Sequence, residues 1–453
     1  MSTTVDRLAA HAAHTHWRDL PAAVQHQARL VLLDTVGVML AGSLQPEVAL
    51  LRDALRVHGT ADCDATLVCA PPVRADMRTA ALLNGIAGRS VELCEGHRFV
   101  SCQAGVQVLP AVLAVGERLR SPGTELLTAL VVGYDIGVRL GAGLAARPRA
   151  HQNGQTAMLG AIAAGARLRG FDAAGIASAL RIGAPLVLVP SYSHTVAGAT
   201  ALNVAGGMSG FNGALVADLV AAGFTGRADA VEEALAQLVG DGFDPAPVTE
   251  ELGSQWEIAR NHFRLRACCN PIYSALDALE AALAGLAPTP EQVERIDVET
   301  YAFAAVMNDP APANYFASKY SLPHAAAALV LLGHAGYQAF TADKVDDPSF
   351  AALRRKVHIR EDPAFSAQVP RLKPARVTLT LTDGRRSTHV IESARGDFQN
   401  PHPESALRAK FRELAGLVLS DDGVARLEAA IDRAHEWHDV DDLYSVIRTC
   451  GAR

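Results

Sequence analysis

Cysteine is scarce in this sequence of 453 residues, and the seven cysteines lie scattered at positions 63, 69, 94, 102, 268, 269 and 450. None of them forms a Cys-x-x-Cys pair. The odd number and the spacing argue against both a disulfide framework and a zinc ribbon. We therefore expect reduced thiols and a cytoplasmic protein.

The sequence also lacks the short motifs that mark common cofactor sites. It has no Gly-x-Gly-x-x-Gly after a predicted strand, no Walker A loop, no His-Glu-x-x-His, no EF-hand loop and no Gly-x-Ser-x-Gly. His11, His14 and His16 lie close together, but we expect them to face solvent, because a metal site needs three or four converging ligands. We therefore expect neither a metal ion nor another cofactor.

Long runs of one charge are missing as well. The formal net charge is -7, without a long Lys/Arg run, so we expect neither nucleic acid nor an anionic membrane as a partner. Charged residues or glycines interrupt the apolar stretches Leu126–Gly133 and Ala157–Gly165, and on this ground we expect no membrane span. The N-terminus has no apolar segment behind a basic start, so we expect no export signal.

The sequence does contain enough apolar residues for more than one core. Hydrophobic residues make up 49% and charged residues 20%, and the length suggests two large domains. From Val24 to about Gly240, segments rich in Ala, Leu, Val and Gly have helical spacing. This part of the chain is predicted to form a helical domain.

Strand patterns are expected only after about Asp241. Alternation predicts strands over Val293–Tyr301 and Lys356–Glu361 and a hairpin over Ala375–Ser393 that turns at Asp383-Gly384. Helices are predicted at Tyr273–Leu286 and Leu322–Leu332, and again after Pro401. We therefore predict a mainly α protein with a smaller α+β domain: residues 1–265 and 400–453 form the helical domain and residues 266–399 the α+β domain.

The first candidate site is the segment from Glu92 to Arg98, which follows an apolar helix. It brings together two carboxylates, Glu92 and Glu95, with the imidazole of His97 and the guanidinium of Arg98. Partial burial would raise the pKa of a carboxyl group and suit it to acid or base catalysis, and a cation would position an anionic substrate. The alternative is a solvated helix end with ordinary ion pairs.

The second candidate site is the segment His151–Thr156. His151 is expected at a helix N-terminus, where backbone amides favour a bound anion; the alternative is a capping or buried structural histidine. His194 and Asn203 flank the glycine-rich passage Gly198–Gly210. Those glycines could admit a ligand to the backbone or simply allow tight helix packing.

The third candidate site is the basic segment that contains Arg264 and Arg266 and ends at Tyr273. Guanidinium groups bind carboxylates through two parallel hydrogen bonds, and the segment lies near the predicted domain junction. Lys319 supplies a further cation. The alternative is an exposed basic strand.

At these three clusters the sequence resembles the MmgE/PrpD family, which includes 2-methylcitrate dehydratase, cis-aconitate decarboxylase and iminodisuccinate epimerase. Shorter motifs extend the resemblance over nearly the whole chain, among them Leu33-Asp-Thr-Val-Gly37, Asn84-Gly-Ile-Ala87, Gly133-Tyr-Asp-Ile-Gly137, Ala267-Cys-Cys269, Ser321-Leu-Pro323 and Lys410-Phe411. The resemblance implies a helical domain with an inserted α+β lid, a homodimer, no metal ion, and a cleft that binds polycarboxylates.

The sequence departs from the family pattern at several of these positions. Glu92-Leu-Cys-Glu-Gly-His97 stands where members typically carry Asp-x-Asp-Asp-Thr-His, and Gln103-Ala-Gly105 replaces His-Pro-Gly. A lysine expected in the glycine-rich passage falls near Leu202 or Asn203, and a histidine expected after the Cys-Cys pair appears as Tyr273. The resemblance therefore implies a divergent member.

The leading hypothesis is a cofactor-free lyase that dehydrates a small di- or tricarboxylic acid by removing a proton next to a carboxylate. Acid and base catalysis is assigned to Glu92, Glu95, His97 and His151. Substrate binding is assigned to eight further residues: Arg98, Gln103, His194, Asn203, Arg264, Arg266, Tyr273 and Lys319. The alternatives are a decarboxylase, an epimerase, or a non-catalytic homologue that binds carboxylates.

Overall fold

The computed structural model describes residues 3–56, 63–97 and 99–450, with the side chain of Arg56 excepted. Helices dominate the described chain. Those of the first half are α1 (Thr4–His14), α2 (Ala22–Gly42), α3 (Pro46–Arg56), α4 (Met77–Ser90), α5 (Ala104–Leu119), α6 (Gly123–Gly143), α7 (Thr156–Leu168), α8 (Ala173–Gly183), α9 (Tyr192–Val196), α10 (Ala201–Ala221) and α11 (Ala230–Glu233). Those of the second half are α12 (Ala246–Thr249), α13 (Tyr273–Leu286), α14 (Ala302–Ala305), α15 (Tyr315–Ser318), α16 (Leu322–Leu332), α17 (Ala342–Asp346), α18 (Pro348–Arg354), α19 (Pro363–Ser366), α20 (Glu404–Ala415), α21 (Asp421–Asp432) and α22 (Asp441–Cys450).

Most strands of the described chain are short. They are β1 (Ala65–Thr66), β2 (Arg74–Ala75), β3 (Gly96–His97), β4 (Leu144–Ala146), β5 (Gly240–Phe243), β6 (Asn261–His262), β7 (Val293–Thr300), β8 (Val357–Glu361), β9 (Ala375–Leu381) and β10 (Arg386–Ile391). Single 3-10 turns occur at Trp17–Asp19, Ala184–Leu186, Glu257–Arg260, Asn270–Ile272, Pro290–Gln292, Tyr337–Phe340 and Ala434–Glu436, and Ala234–Val239 is a π-helix. This composition confirms the predicted mainly α protein with a smaller α+β part.

The chain divides into two compact units. Unit 1 comprises the described residues within Met1–Ser191, Ala201–His262 and Glu404–Arg453, and unit 2 comprises Tyr192–Thr200 and Phe263–Pro403. Unit 1 therefore contains α1 to α8, α10 to α12 and α20 to α22, whereas unit 2 contains α9, α13 to α19 and the four longest strands. The segment Tyr192–Thr200 belongs to unit 2, although it lies within the predicted range 1–265.

Small residues let the central helices of unit 1 touch backbone to backbone. A Cβ built on Gly160 in α7 would lie 2.1 Å from the carbonyl oxygen of Gly133 in α6, and a Cβ on Gly137 would lie 2.9 Å from the Cα of Ala157. No side chain fits at such distances, so glycine is required there. The apolar sides of α1, α6, α7, α8 and α10 enclose a large core cluster.

Two of these helices, α6 and α10, are long and apolar enough to cross a membrane by length and composition, and α2 with α3 passes the same test as a pair bent by 83°. Glycines and isolated charges interrupt these helices but leave their mean hydropathy high enough to pass this test, so the expectation of no membrane span stays a prediction. In α6, 89% of the apolar window is buried. That a membrane is not a partner stays a prediction.

Unit 2 is built on a four-stranded sheet in the order β10-β9-β7-β8. Neighbours are antiparallel except for β7 and β8, which run parallel. Every second residue of β9 is buried, as the predicted alternation requires, and Gly384 has a φ of +85° in the turn between β9 and β10. Helix α13 packs on β9 and β10, and the predicted bounds of α13 and α16 are confirmed.

Two expectations about the first half of the chain were wrong. Short strands occur before Asp241, since β3 pairs with β6 and β4 with β5; pairings of two to four residues carry no visible alternation. His11 does not face solvent, because its Nε2 lies 3.3 Å from Asp135 Oδ2 and its ring packs on Trp256. His14 and His16 are exposed as expected.

Candidate functional site

Glu95 is a fully buried carboxyl group in unit 1. The hydroxyl of Tyr134 on α6 donates to its Oε2 at 2.7 Å, and the backbone N–H of Gly105, at the beginning of α5, donates to its Oε1 at 2.7 Å. Burial raises the pKa of Glu95 to about 7, although these hydrogen bonds oppose the shift. The group therefore exchanges its proton near neutral pH, as acid or base catalysis requires.

A buried ion pair anchors the acidic segment to two distant helices. Lys410 Nζ on α20 lies 2.6 Å from Asp34 Oδ1 on α2 and donates to the carbonyl oxygen of Leu93 at 2.7 Å. The other oxygen of Asp34 accepts from the backbone N–H of Glu95 at 3.2 Å. The motifs around Asp34 and Lys410 thus fix the backbone that carries Glu95.

Glu92 is held by a cation on the preceding helix. Its carboxylate pairs with the guanidinium of Arg89 on α4, and both side chains are buried. Glu92 has a φ of 55°, a left-handed conformation that costs a non-glycine residue on the order of 1–3 kcal/mol. This ion pair is buried and thus differs from the solvated ion pairs that were the alternative, and a catalytic role of Glu92 stays a prediction.

His97 pairs with a carboxylate that the sequence analysis missed. His97 Nε2 lies 3.0 Å from Oε2 of Glu257, in the turn before β6. Burial alone would raise the pKa of Glu257, but the hydrogen bond and charge of His97 and the charge of Arg260 lower it to about 2. Glu257 is therefore ionised at neutral pH and orients the imidazole. Nothing in the sequence around Glu257 marks it, because pairing of β3 with β6 creates the contact.

His151 lies in a turn before α7 rather than in the first turn of the helix. Its backbone N–H donates to the carbonyl oxygen of Pro190 at 2.8 Å, and its Nδ1 accepts from the backbone N–H of Asn153 at 3.2 Å. This second hydrogen bond assigns the proton of the neutral ring to Nε2. His151 thus presents an N–H donor, as expected for a group that stabilises a developing oxyanion.

Gln107 joins the beginning of α5 to the His151 turn. Its Oε1 accepts from the backbone N–H of Gly154 at 2.8 Å, and its Nε2 donates to the carbonyl oxygen of Gln103 at 3.0 Å. Since Gly105, in the same turn of α5, donates to Glu95, one helix turn contacts both candidate groups. Unit 1 therefore brings Glu95 and the His151 turn together around the first turn of α5.

The remaining predicted residues of the first half lie in different surroundings. Gln103 and Asn203 are buried in unit 1, where Asn203 stands in the first turn of α10. His194 is exposed on α9 in unit 2. Arg98 lies outside the described residues, so its predicted contact with substrate stays a prediction.

In unit 2, Arg266 and Tyr273 form an internal network. Arg266 Nη2 lies 2.6 Å from Asp277 and 2.7 Å from Glu280. The hydroxyl of Tyr273 donates to the carbonyl oxygen of Arg266, whose guanidinium lies 5.5 Å from the centre of the Tyr273 ring. Burial would lower the pKa of Arg266, but the two carboxylates raise it. Two carboxylates of its own unit thus compensate this cation.

Arg264 and Lys319 are the two other predicted cations of unit 2, and both are buried. The Lys319 ammonium lies 5.3 Å from the centre of the Phe340 ring, a distance at which a cation is attracted by an aromatic face. The carbonyl oxygen of Lys319 accepts from the backbone N–H of Cys269 at 2.8 Å. This bond links the Cys-Cys pair to the segment that carries Lys319.

Within the ranges that the structure describes, no group of three or more His, Cys, Asp or Glu side chains is arranged to hold a metal ion. The residues that sequence reasoning missed are Glu257, Tyr134 and Gln107. Tyr134 lies in the motif Gly133-Tyr-Asp-Ile-Gly137, which was a usable signal, whereas Gln107 carries no motif beyond its proximity to Gln103. Asn153 lies within the predicted segment His151–Thr156, although no role was assigned to it.

Comparisons with known proteins agree over most of the chain. Residues 6–245 match the MmgE/PrpD N-terminal domain, and residues 267–436 match the MmgE/PrpD C-terminal domain. The chain is 23% identical to a cis-aconitate decarboxylase-like protein of Aspergillus oryzae and to a cis-aconitate decarboxylase of Aspergillus terreus, over 95% of this chain and 94% of each relative. The cis-aconitate decarboxylase of Homo sapiens is also 23% identical, over 94% of this chain and 90% of that protein.

Proposed function

This chain belongs to the MmgE/PrpD family, and we propose that it is a lyase that acts on a small carboxylic acid. The finer proposal is dehydration: a proton leaves the carbon next to a carboxylate, and a hydroxyl group then leaves as water. One observation carries this proposal. Glu95, with a pKa near 7, lies two residues before His97, which belongs to the short strand β3 and pairs with the ionised Glu257.

The two groups suit opposite directions of proton transfer. Asn261, the partner of His97 across β3 and β6, donates to Oε2 of Glu95 at 3.5 Å, so both groups contact the same residue of β6. Glu95 is partly ionised at neutral pH and can accept a proton from carbon, whereas the imidazole of His97, 3.0 Å from the ionised Glu257, is placed to donate one. The surroundings raise the pKa of Glu95 and lower that of Glu257, and such opposite shifts of neighbouring carboxyl groups are typical of active sites.

The proposed reaction uses three residues. Glu95 takes the proton, and the electron pair of the broken C–H bond spreads onto the substrate carboxylate as an enediolate. The Nε2–H of His151 donates to the oxygen that gains charge. The electron pair then forms the carbon–carbon double bond as the C–O bond breaks, and the departing hydroxide takes a proton from His97 to leave as water.

Proton exchange measured by NMR tests this proposal. The protein is incubated in D2O with citrate, 2-methylcitrate, cis-aconitate, malate and iminodisuccinate, and deuterium incorporation and products are followed. We expect exchange next to a carboxylate and an unsaturated product, with activity reduced at least 100-fold in Glu95→Gln and in His151→Gln. Glu117→Gln is the matched control, since Glu117 is a partly buried glutamate near the end of α5 that accepts a hydrogen bond from Thr66 instead.

The outcomes separate the hypotheses. Exchange that survives in both variants would contradict the assigned roles. Compounds that bind without any exchange or product would favour the non-catalytic carboxylate-binding homologue. Equal activity in wild type and Glu117→Gln is required for the losses to be assigned to the site.

Decarboxylation is a second candidate, because the matched relatives carry the name cis-aconitate decarboxylase. The same residues would serve: the bond to one carboxylate breaks, carbon dioxide leaves, and the carbanion takes a proton from His97. Release of carbon dioxide from cis-aconitate, with one deuterium in the product, would favour it over dehydration. Inversion of a centre without loss of any group would favour the epimerase hypothesis.

A homodimer, a cytoplasmic location and independence of cofactors remain predictions from the sequence and its resemblance. Light scattering tests the first of them: we expect twice the mass of one chain of 47.7 kDa. A monomer that is fully active would contradict a functional need for the dimer.

A further inference from the structure

Four buried amide side chains of unit 1 contain atoms without a hydrogen-bond partner among the described residues. They are Oε1 of Gln103, both polar atoms of Asn153, Nε2 of Gln155, and both polar atoms of Asn203. Each of these residues is at most 8% exposed. A buried polar group without a partner costs about 1–3 kcal/mol, so such groups are rare unless something absent from the chain itself satisfies them.

These amides, which we call the amide cluster, lie at the beginnings of three helices. Gln103 precedes α5, Asn153 and Gln155 precede α7, and Asn203 stands in the first turn of α10. Gln107 connects the three helices, because its Oε1 accepts from Gly154 and also from the hydroxyl of Ser209 on α10, at 3.0 Å. The first-turn N–H groups of helices have no partner within the helix, so this end of unit 1 is rich in donors as well.

The end of α4 adjoins the same cluster. A Cβ built on Gly206 would lie 3.2 Å from the Cβ of Arg89, and Asn203 shares a helix face with Gly206 because the two are three residues apart. The Arg89 guanidinium pairs with Glu92 and is thus compensated. Arg89 therefore brings no uncompensated positive charge to the contact between α4 and α10.

We propose that the amide cluster binds hydroxyl groups of the substrate, which is then a hydroxylated carboxylic acid. The unpartnered atoms comprise three acceptors, on Gln103, Asn153 and Asn203, and three donors, on Asn153, Gln155 and Asn203. An ionised carboxylate only accepts hydrogen bonds and would leave the three acceptors unsatisfied, whereas a hydroxyl donates and accepts. Both polar atoms of Asn153 and of Asn203 are unpartnered, so flipping either amide, which exchanges its oxygen and nitrogen, leaves the numbers of acceptors and donors unchanged.

This inference rests on the proposed function and narrows its substrate class. It also agrees with dehydration, which needs a hydroxyl group to expel. The carboxylate that activates the C–H bond is bound elsewhere, and the amide cluster selects for the hydroxyl groups.

Titration calorimetry with matched compounds tests the inference. Succinate is compared with D-malate, L-malate and the three tartrates, which add one or two hydroxyl groups to the same dicarboxylate. We expect at least one hydroxylated compound to bind 10-fold or more tightly than succinate, because a site that hydrogen-bonds a hydroxyl rejects the analogue without it. Affinities within threefold of succinate for all five would overturn the inference.

Replacement of the asparagines supplies a second readout. In Asn203→Leu and Asn153→Leu we expect the preference for the hydroxylated compound to fall below threefold, while the melting temperature stays equal or rises, because an unsatisfied buried amide is removed. Asn84→Leu is the matched control: the Asn84 amide accepts from Val68 N at 2.8 Å and donates to Thr66 O at 3.2 Å, so its loss should lower the melting temperature.

The two readouts also separate this inference from the proposed function. If both asparagine variants melt lower, as Asn84→Leu does, and keep the preference, the amides are structural and the inference fails. Equal binding of succinate and its hydroxylated analogues overturns the inference alone. If no carboxylic acid binds at all, the proposed function and the inference both fail.

Discussion

Lys410 and Asp34 are 376 residues apart in the sequence, and their side chains lie 2.6 Å apart in unit 1. Both are buried, and the pair also holds the backbone at Leu93 and Glu95. The C-terminal helix α20 is therefore part of the support of the candidate site. Its contribution can be measured without any knowledge of the substrate.

Lys410→Met should destabilise the protein by about 3–5 kcal/mol, because it leaves the carboxylate of Asp34 buried without its cation. The free energy of unfolding in urea measures this loss. Arg412→Met is the matched control on the same helix: Arg412 pairs with Glu428 at 2.7 Å but its side chain is 59% exposed, so the cost should stay below about 1 kcal/mol.

A double variant checks the cause of this loss. Asp34→Asn combined with Lys410→Met should recover part of the stability, since the uncompensated charge is gone. A double variant less stable than the sum of the two single changes would show that the charge is not the cause.

Glu95 should make the protein less stable as the pH rises. Its pKa is about 7 in the folded chain and 4.5 ordinarily, so between these values the folded state holds a proton that the unfolded state has lost. Stability from this group is complete below pH 4.5 and falls, by on the order of 3 kcal/mol, as the pH rises to 7 and beyond. Urea unfolding of wild type and Glu95→Gln at pH 5, 6, 7 and 8 isolates the contribution, and parallel curves for the two proteins would contradict it.

The contact between His97 and Glu257 should be measurable as a coupling energy. In a double-mutant cycle with His97→Gln and Glu257→Gln we expect about 0.5–3 kcal/mol, since both side chains are buried. The lowered pKa of Glu257 means that this stabilisation is present above pH 4.5 and is lost as the pH falls towards 2.

An exposed pair with the same geometry serves as its control. His26 and Glu404 also lie 3.0 Å apart, but their side chains are 46% and 38% exposed, so their coupling should stay below about 0.5 kcal/mol. Equal coupling in the two pairs would mean that burial does not strengthen the contact of His97.

His324 in unit 2 should make the protein sensitive to mild acid. Burial lowers its pKa to about 4, and the ring lies between Phe340 and Phe350 with its Nε2 2.9 Å from the carbonyl oxygen of Ala339. Between pH 6.5 and 4 the unfolded chain binds a proton that the folded chain does not, so stability falls as the pH drops through this range. His324→Phe should flatten this part of the stability curve, and an unchanged slope would contradict the assignment.

Elements with a strong local pattern could be predicted from the sequence. The alternation in β7, β9 and β10 and the apolar runs of α13 and α16 gave the right element types, because burial on one side determines those patterns. The two-residue strands β3 and β6 could not be found, since their pairing depends on contacts between segments more than 160 residues apart.

In the candidate site, too, residues with a local signal could be predicted and residues placed by distant contacts could not. Glu95, His97 and His151 stood out as polar residues in apolar surroundings. Glu257 could not be predicted, because its contact with His97 depends on the pairing of β3 with β6. The sequence could not reveal that Arg89 compensates Glu92, or that Asp277 and Glu280 compensate Arg266, because ion pairing depends on packing. The predicted roles of these residues stay predictions.

The contact between α6 and α7 affects more than core packing. The turn that carries His151 leads directly into α7, whose first residues lie against Gly137 and Gly141. A methyl group added to Gly137 would lie 2.9 Å from the Cα of Ala157, so it would push α7 away and carry the imidazole with it. The position of His151 thus depends on the absence of a side chain in α6, and an alanine substitution there would displace the imidazole from within the core.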